Sequence, residues 1–212
     1  MKISSPQVAA QLEEATIDEL FDGDLEDVLL LNIDATNCHV SGLNISSVKF
    51  EKLLLTTAQL ERINAKDFIA VSTEFSSAYL ANSSINRAEF SNCRMTGVDF
   101  NKTSLHDVTL RGCKLDMANF RFADLRRVKF TDCTFVETDF LGAILHDVTF
   151  ESCTLEKTVF DQVKCKLVDL RSSELIEISG WTSLKGATID SVQLAVAAPY
   201  LANELGLIVR SD

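Results

Sequence analysis

The stretch ANFRFADLRRVKFTDCTF, Ala118 to Phe135, places Phe120, Leu125, Phe130 and Phe135 five residues apart. An amphipathic helix spaces its apolar residues by three and four, and a half-buried strand by two. Followed outward, the every-fifth series runs from Leu20 to Leu175, thirty-two positions without one polar residue. Two residues before each member lies a second column of mostly small or β-branched residues: Ala118, Ala123, Val128, Cys133, Thr138, Ala143, Val148 and Cys153 in the middle of the chain. The remaining positions of each pentapeptide are largely polar. Each pentapeptide therefore turns two side chains inward and three outward, and such a chain must round a corner at every repeat. Four corners close a square coil.

A square coil predicts a superperiod of twenty, and the sequence has one. Cys93, Cys113, Cys133 and Cys153 form one column, Val108, Val128, Val148 and Val168 a second, and Phe100, Phe120, Phe140 and Phe160 a third. Like stacks on like, which is how short repeats that bury nothing alone assemble a core.

The pattern resembles the pentapeptide-repeat family. That family's Ala-(Asp/Asn)-Leu-X-X motif stands in ANFRF (118–122) and ADLRR (123–127), with looser copies in VDFNK (98–102) and TDFLG (138–142), and the repeat covers about three quarters of the chain. The resemblance implies an all-β fold, a right-handed quadrilateral parallel β-helix with a short helical C-terminal cap. Residues 18 to 178 make about eight coils, a rod ~38 Å long at the ~4.8 Å spacing of neighbouring strands. The expected organisation is a cap segment over 1–17, the β-helix over 18–180, and a helical cap or dimerisation module over 181–212.

Both open faces of such a rod need covering. At the start, Ser5 as N-cap and Pro6 at the first helical position predict a short helix from about Pro6 to Glu14, with an extended segment as the alternative. At the far end the register breaks near Gly180 and Trp181 and resumes one residue early in LKGATID. Asp190 and Gln193 then have the spacing of a capping box. Pro199 is expected to split the following segment into two helices, Gly206 to stop the second, and residues 207–209 to return as a strand. Leu194, Leu201 and Leu205 supply an apolar face. Family members commonly dimerise through a C-terminal helical module, so these three are the candidate dimer interface, with a monomer's lid as the alternative.

The composition suits one soluble domain: 212 residues, 46% hydrophobic and 24% charged. No stretch is long and apolar enough for a membrane span, and no signal-peptide run opens the chain. Six cysteines without a secretion signal indicate reduced thiols and a cytoplasmic setting. A formal charge of −11 disfavours direct contact with nucleic acid or an anionic membrane. Residues 13–34 hold nine acids and no base, residues 111–129 six bases against two acids, and residues 132–161 seven acids against Lys157.

The candidate chemistry is sparse. Four cysteines along one wall cannot converge tetrahedrally on zinc, so they read as small core filler. His106, Arg126 and His146 fall in one column and Asp107, Arg127 and Asp147 in the next, which predicts a surface ion-pair ladder with Arg127 between two aspartates. No nucleophile elbow, phosphate loop or zinc-protease motif is present, and a straight tube has no cleft to perturb a carboxyl pair. No catalytic residue, cofactor or metal is expected. Two outward apolar groups stand out: Leu29, Leu31, Ile69 and Val71 on one wall, and Phe122, Leu141 and Ile144 near an edge.

The expected function is that of a non-enzymatic rod, a scaffold that binds an unidentified protein partner. The resemblance also implies an alternative. Some family members mimic duplex DNA and bind a type II topoisomerase, DNA gyrase or topoisomerase IV, inhibiting it or protecting it from quinolones. The candidate partner-binding residues for either role are Asp22, Asp24, Asp27, Asp132, Asp139, Asp147, Glu151, Phe122 and Leu141, with Glu19 and Asp34 beside them in the mimic.

Overall fold

The structure, a computed structural model, describes residues 2–210. Four ladders of parallel pairing run along it, each joining residues twenty apart. Eight-residue strands, Asn44–Glu51, Asn64–Val71, Ser84–Ser91, Ser104–Arg111, Asp124–Thr131 and Ile144–Glu151, serve the first two walls. Asn44 pairs with Asn64 on the first and Lys49 with Ile69 on the second. The third wall is the series Asp34, Leu54, Glu74, Arg94, Lys114 and Thr134, and the fourth runs Gln59, Tyr79, Asp99, Asn119, Asp139, Val159 and Ser179. The protein is thus an all-parallel four-walled β-solenoid of about eight turns.

The corners have a backbone signature that hydrophobic periodicity alone does not reveal. From Asp27 to Glu177, every fifth residue has a positive φ, between 50° and 64° in the non-glycine residues, with Gly42, Gly97, Gly112 and Gly142 filling the remaining places. A left-handed turn costs an ordinary L-residue on the order of 1–2 kcal/mol. Asp and Asn, which tolerate it best, hold Asp27, Asn32, Asn37, Asp67, Asn82, Asn92, Asp107, Asp132 and Asp147. Elsewhere the inter-coil hydrogen bonds and the filled core impose it.

Inside, every member of the Leu20–Leu175 series is buried except Cys165, which is half-buried. Cys165 lies in Lys164–Asp169, the last strand of the large sheet, and has no coil above it. Phe100, Phe120, Phe140 and Phe160 stack face to face, with centroids 5.0, 4.8 and 5.2 Å apart in succession. Nearer the start, Phe68 occupies a small-residue position between Ala65 and Ala70, which occupy large ones. The exchange conserves volume, the condition a packed core imposes. Hydroxyls in the small column remain satisfied: Thr103, Thr138, Thr158 and Ser173 each donate to a carbonyl 23 residues earlier, at 2.7–3.0 Å.

The N-terminal end departs from the expected helix. Residues 2–12 are without helix or strand, and Glu13–Ala15 pairs with Val28–Leu30. The short helix α1 falls instead at Ile17–Asp22, where the Thr16 N–H donates to Glu19 at 3.0 Å and buried Leu20 plugs the tube. The Ser5–Pro6 signature lost because the Ser4, Gln7 and Ala9 amides find acceptors on the rod, Asp107, Asp67 and Ser47. An extended chain reaches all three; a helix would not span them.

At the other end the register does resume one residue early, since Thr188 pairs with Asp169. Helix α2, Ser191–Glu204, is continuous through Pro199 rather than split. It is tied down on both sides of the proline. Gln193 is buried, and its Nε2 donates to the Leu170 and Ser173 carbonyls at 2.7 Å each, closing the last coil. Beyond Pro199, the Glu204 carboxylate accepts the Gly180, Trp181 and Thr182 amides, capping the 3₁₀ turn Trp181–Leu184. Gly206, at φ 70°, ends α2 as expected. Residues 207–209 do not return as a strand: the Leu207 amide donates back to the Ala202 carbonyl of α2 at 2.8 Å, and all three residues are exposed. Among the described residues no helix is long and apolar enough to cross a membrane.

Candidate functional site

The sequence-predicted partner residues do not gather on one face. Asp22 lies on α1, Asp24 on the first wall beside it, and Asp27 at the next corner, all exposed. Asp24 accepts from the Asn44 Nδ2 at 2.8 Å. Among the described residues these three, with Glu19 and Asp34, make no ion pair. The acids in the middle of the rod are different. Asp139, on the fourth wall, is held by Arg121 at 2.6 Å, and Glu151 by Lys129 at 2.7 Å. The Lys129 ammonium, by hydrogen bond and by charge, keeps the Glu151 carboxyl below its usual range. Asp132 has Arg111 at 3.9 Å.

The expected ladder around Arg127 takes a different form. His106, Arg126 and His146 do stack in register, but Arg126 turns aside to Asp124 at 2.9 Å. Arg127 does not bridge two aspartates. It grips Asp107 with two bonds of 2.7 Å, one coil back. Arg87 grips Asp67 in the same way. A planar guanidinium satisfies one carboxylate in a fork rather than dividing itself between two. The column therefore resolves into the units Asp67–Arg87 and Asp107–Arg127. The Asp67 unit is absent from the sequence-based candidates, although the same twenty-residue Asp-to-Arg offset marks it.

Of the apolar candidates, Phe122 is 53% exposed. Its amide donates to the Leu141 carbonyl at 3.0 Å, and its ring lies over Gly142, where a β-carbon would come within 2.6 Å of it. Phe122 and Leu141 are thus adjacent on one corner. On the second wall Leu29, Lys49 and Ile69 align, as do Leu31, Glu51 and Val71, so a salt bridge of 2.6 Å between Lys49 and Glu51 separates the two apolar pairs. Leu194 on α2 and Leu205 just after it are exposed while Leu201 is half-buried against the core, so Leu201 packs inward more than the interface reading required.

The cysteines are buried, except the half-buried Cys165. All six are free. The hydrogen bond from Cys113, together with burial, pushes the Cys133 thiol up to about 12, and burial alone pushes Cys165 up to about 11. Neither is a thiolate at neutral pH, so neither can act as a nucleophile or soft metal ligand without a large penalty.

Residues 83–160 match the family model described as pentapeptide repeat region. Over that stretch the chain carries the pentapeptide repeat. Among solved structures, this pentapeptide-repeat rod is similar to full-length QnrB1, a plasmid-mediated fluoroquinolone resistance protein, with a TM-score of 0.66 and 20% identity over 89% of this chain and 94% of that one. A trypsin-treated QnrB1 variant gives a TM-score of 0.62 and 21% identity over 96% and 98% of the two chains. At these identities the likeness is one of fold. No curated protein matches it by sequence.

Proposed function

We propose that this pentapeptide-repeat rod is a non-enzymatic interaction module that binds a protein partner and pairs with a second copy through its C-terminal end. The observation carrying this reading is the apolar surface at that end. Val192 (72%), Leu194 (51%), Val196 (54%), Leu205 (63%) and Ile208 (81%) are exposed together on and just after α2. Large side chains left out in one place mark an interface more often than isolated ones do. The absence of chemistry is supported by the raised thiols of Cys133 and Cys165, by His106 and His146 lying two coils apart, and by a pairing register that leaves no room for an inserted loop. Sedimentation equilibrium tests the pairing. A dimer is expected, with Leu194→Asp plus Leu205→Asp converting it to a monomer. A wild-type monomer at tens of micromolar would remove this part of the proposal.

A second reading is favoured by the net charge of −11, by the nine exposed acids of residues 13–34, and by the fold shared with a fluoroquinolone resistance protein. In it the rod mimics DNA toward gyrase or topoisomerase IV, with Asp22, Asp24 and Asp27 leading and Asp147 further along. The pairing of Asp132, Asp139 and Glu151 with Arg111, Arg121 and Lys129 weighs against it, because a cation beside each carboxylate blunts a phosphate-like stripe. Supercoiling by gyrase, measured with and without a quinolone at excess rod, decides. Unchanged activity in both arms rejects this reading and leaves the first intact.

A further inference from the structure

The segment before the first coil is held in a manner the interaction-module reading does not use. Residues 2–12 form no ladder, yet three of their main-chain amides converge on one corner of the rod. Ala9 donates to Ser47 Oγ at 2.9 Å, Gln7 to Asp67 Oδ1 at 2.8 Å, and Ser4 to Asp107 Oδ1 at 3.2 Å. The acceptors belong to the same column, so the strap climbs along the rod axis, its chain direction opposite to the advance of the coils. The spacings agree. Three extended residues, Ser4 to Gln7, reach ~10 Å, and the two coils from Asp67 to Asp107 rise ~9.6 Å at ~4.8 Å each.

The rod's side of this contact is prearranged. Asp67 and Asp107 are both buried, and each sits at a left-handed corner with an arginine one coil further on clamping its carboxylate. The same oxygen that takes the arginine Nε also takes the strap amide. Both partners of each clamp belong to the rod. The strap's side is generic: its rod contacts of this kind come from backbone N–H groups, and Ile3, Pro6, Val8 and Leu12 are the residues half-buried along it. Detaching it breaks none of the four ladders.

We propose that this corner, from Ser47 to Asp107, is a docking track for an extended peptide segment of a protein partner, and that residues 2–12 occupy it as an intramolecular stand-in. The partner segment presents main-chain amides about three residues apart to the two carboxylates and apolar side chains where Ile3, Pro6 and Val8 lie. It binds by displacing the strap. A tethered competitor acts at an effective concentration on the order of millimolar, so the track is closed to weak ligands until the strap is loosened.

The probe is a fluorescein-labelled peptide with the sequence of residues 2–12, KISSPQVAAQL, titrated by anisotropy onto the full chain. Ser4→Pro plus Gln7→Pro removes two strap donors without touching the rod. This variant is expected to bind the peptide at least ~10-fold more tightly than the wild type does. Adding Asp67→Gly and Asp107→Gly, which keep the left-handed corners and delete the carboxylates, is expected to abolish that gain. Equal affinity for wild type and the proline variant, or a gain that survives the glycine substitutions, would overturn the track. Hydrogen exchange on the unmodified chain gives an independent reading. Excess peptide is expected to strip protection from the Ser4 and Gln7 amides, and unchanged protection at saturating peptide also overturns it.

Discussion

Replacing Phe140 by alanine tests the geometry on which the other arguments stand. Its ring is fully buried and lies nearly parallel to Phe120 and Phe160, at 4.8 and 5.2 Å and 7° in each case, edge-on to Phe150 and tilted against Phe135. Truncating a buried phenylalanine costs about 3–5 kcal/mol through lost burial and the cavity left behind. Each aromatic pair broken adds about 0.5–1.5 kcal/mol. Coils touch only their neighbours, so the wall above and below has little freedom to collapse, and the upper part of the range, about 4–5 kcal/mol, is expected. Phe140→Leu keeps most of the apolar area and loses the stacking, so about 1–2 kcal/mol is expected. Phe122→Ala is the control: that ring is half exposed, and about 1 kcal/mol or less should be lost. Guanidinium titrations followed by far-ultraviolet circular dichroism give all three. Because a solenoid couples only adjacent repeats, hydrogen exchange should show the loss concentrated in the coils around residues 120–160. A Phe140→Ala variant no less stable than Phe122→Ala would refute the stacked-column account.

Two further outcomes are expected. Gly180→Ala should destabilise strongly, since the new β-carbon meets backbone atoms of Phe160 and Asp161 at 2.4–2.5 Å in a left-handed turn, whereas Gly142→Ala meets only the Phe122 ring, which can swing away; similar melting temperatures for the two variants would contradict this. Stability should also fall in acid. The Arg87 and Arg127 guanidiniums, and after them the strap amides, hold the Asp67 and Asp107 carboxyls below their usual range against the opposing effect of burial. Groups depressed in this way contribute fully above the unfolded carboxylate value near ~4 and lose that contribution as pH drops through the folded one. Urea midpoints should therefore be level from about pH 8 to 5 and decline below about pH 4. Asp67→Gly with Asp107→Gly should flatten that decline, and an unaltered slope would show that these pairs do not govern it.

Most of the tube was legible from the chain because its evidence is arithmetic. A period of five inside a period of twenty admits few structures, and two side chains in each pentapeptide had to face inward. The thirty-two-member series, the cysteine and phenylalanine columns, the alignment of Leu29 with Lys49 and Ile69, and the one-residue shift before Thr188 could all be counted. What could not be counted was any choice among alternatives of similar local energy. Ser5 and Pro6 signal a helix start, but amide acceptors 38 to 103 residues away drew that segment out straight. Pro199 signals a break, but anchors at Gln193 and Glu204 hold α2 together across it. Arg127 has aspartates forty residues apart in register, and only the direction of its guanidinium assigns it to Asp107. Periodicity in the sequence determined the coil, its register and its core, because burying apolar residues is a collective demand that every repeat states again. Tertiary structure decided the strap, the caps and the pairing of charges, because each depends on a single contact between distant residues that no local pattern encodes.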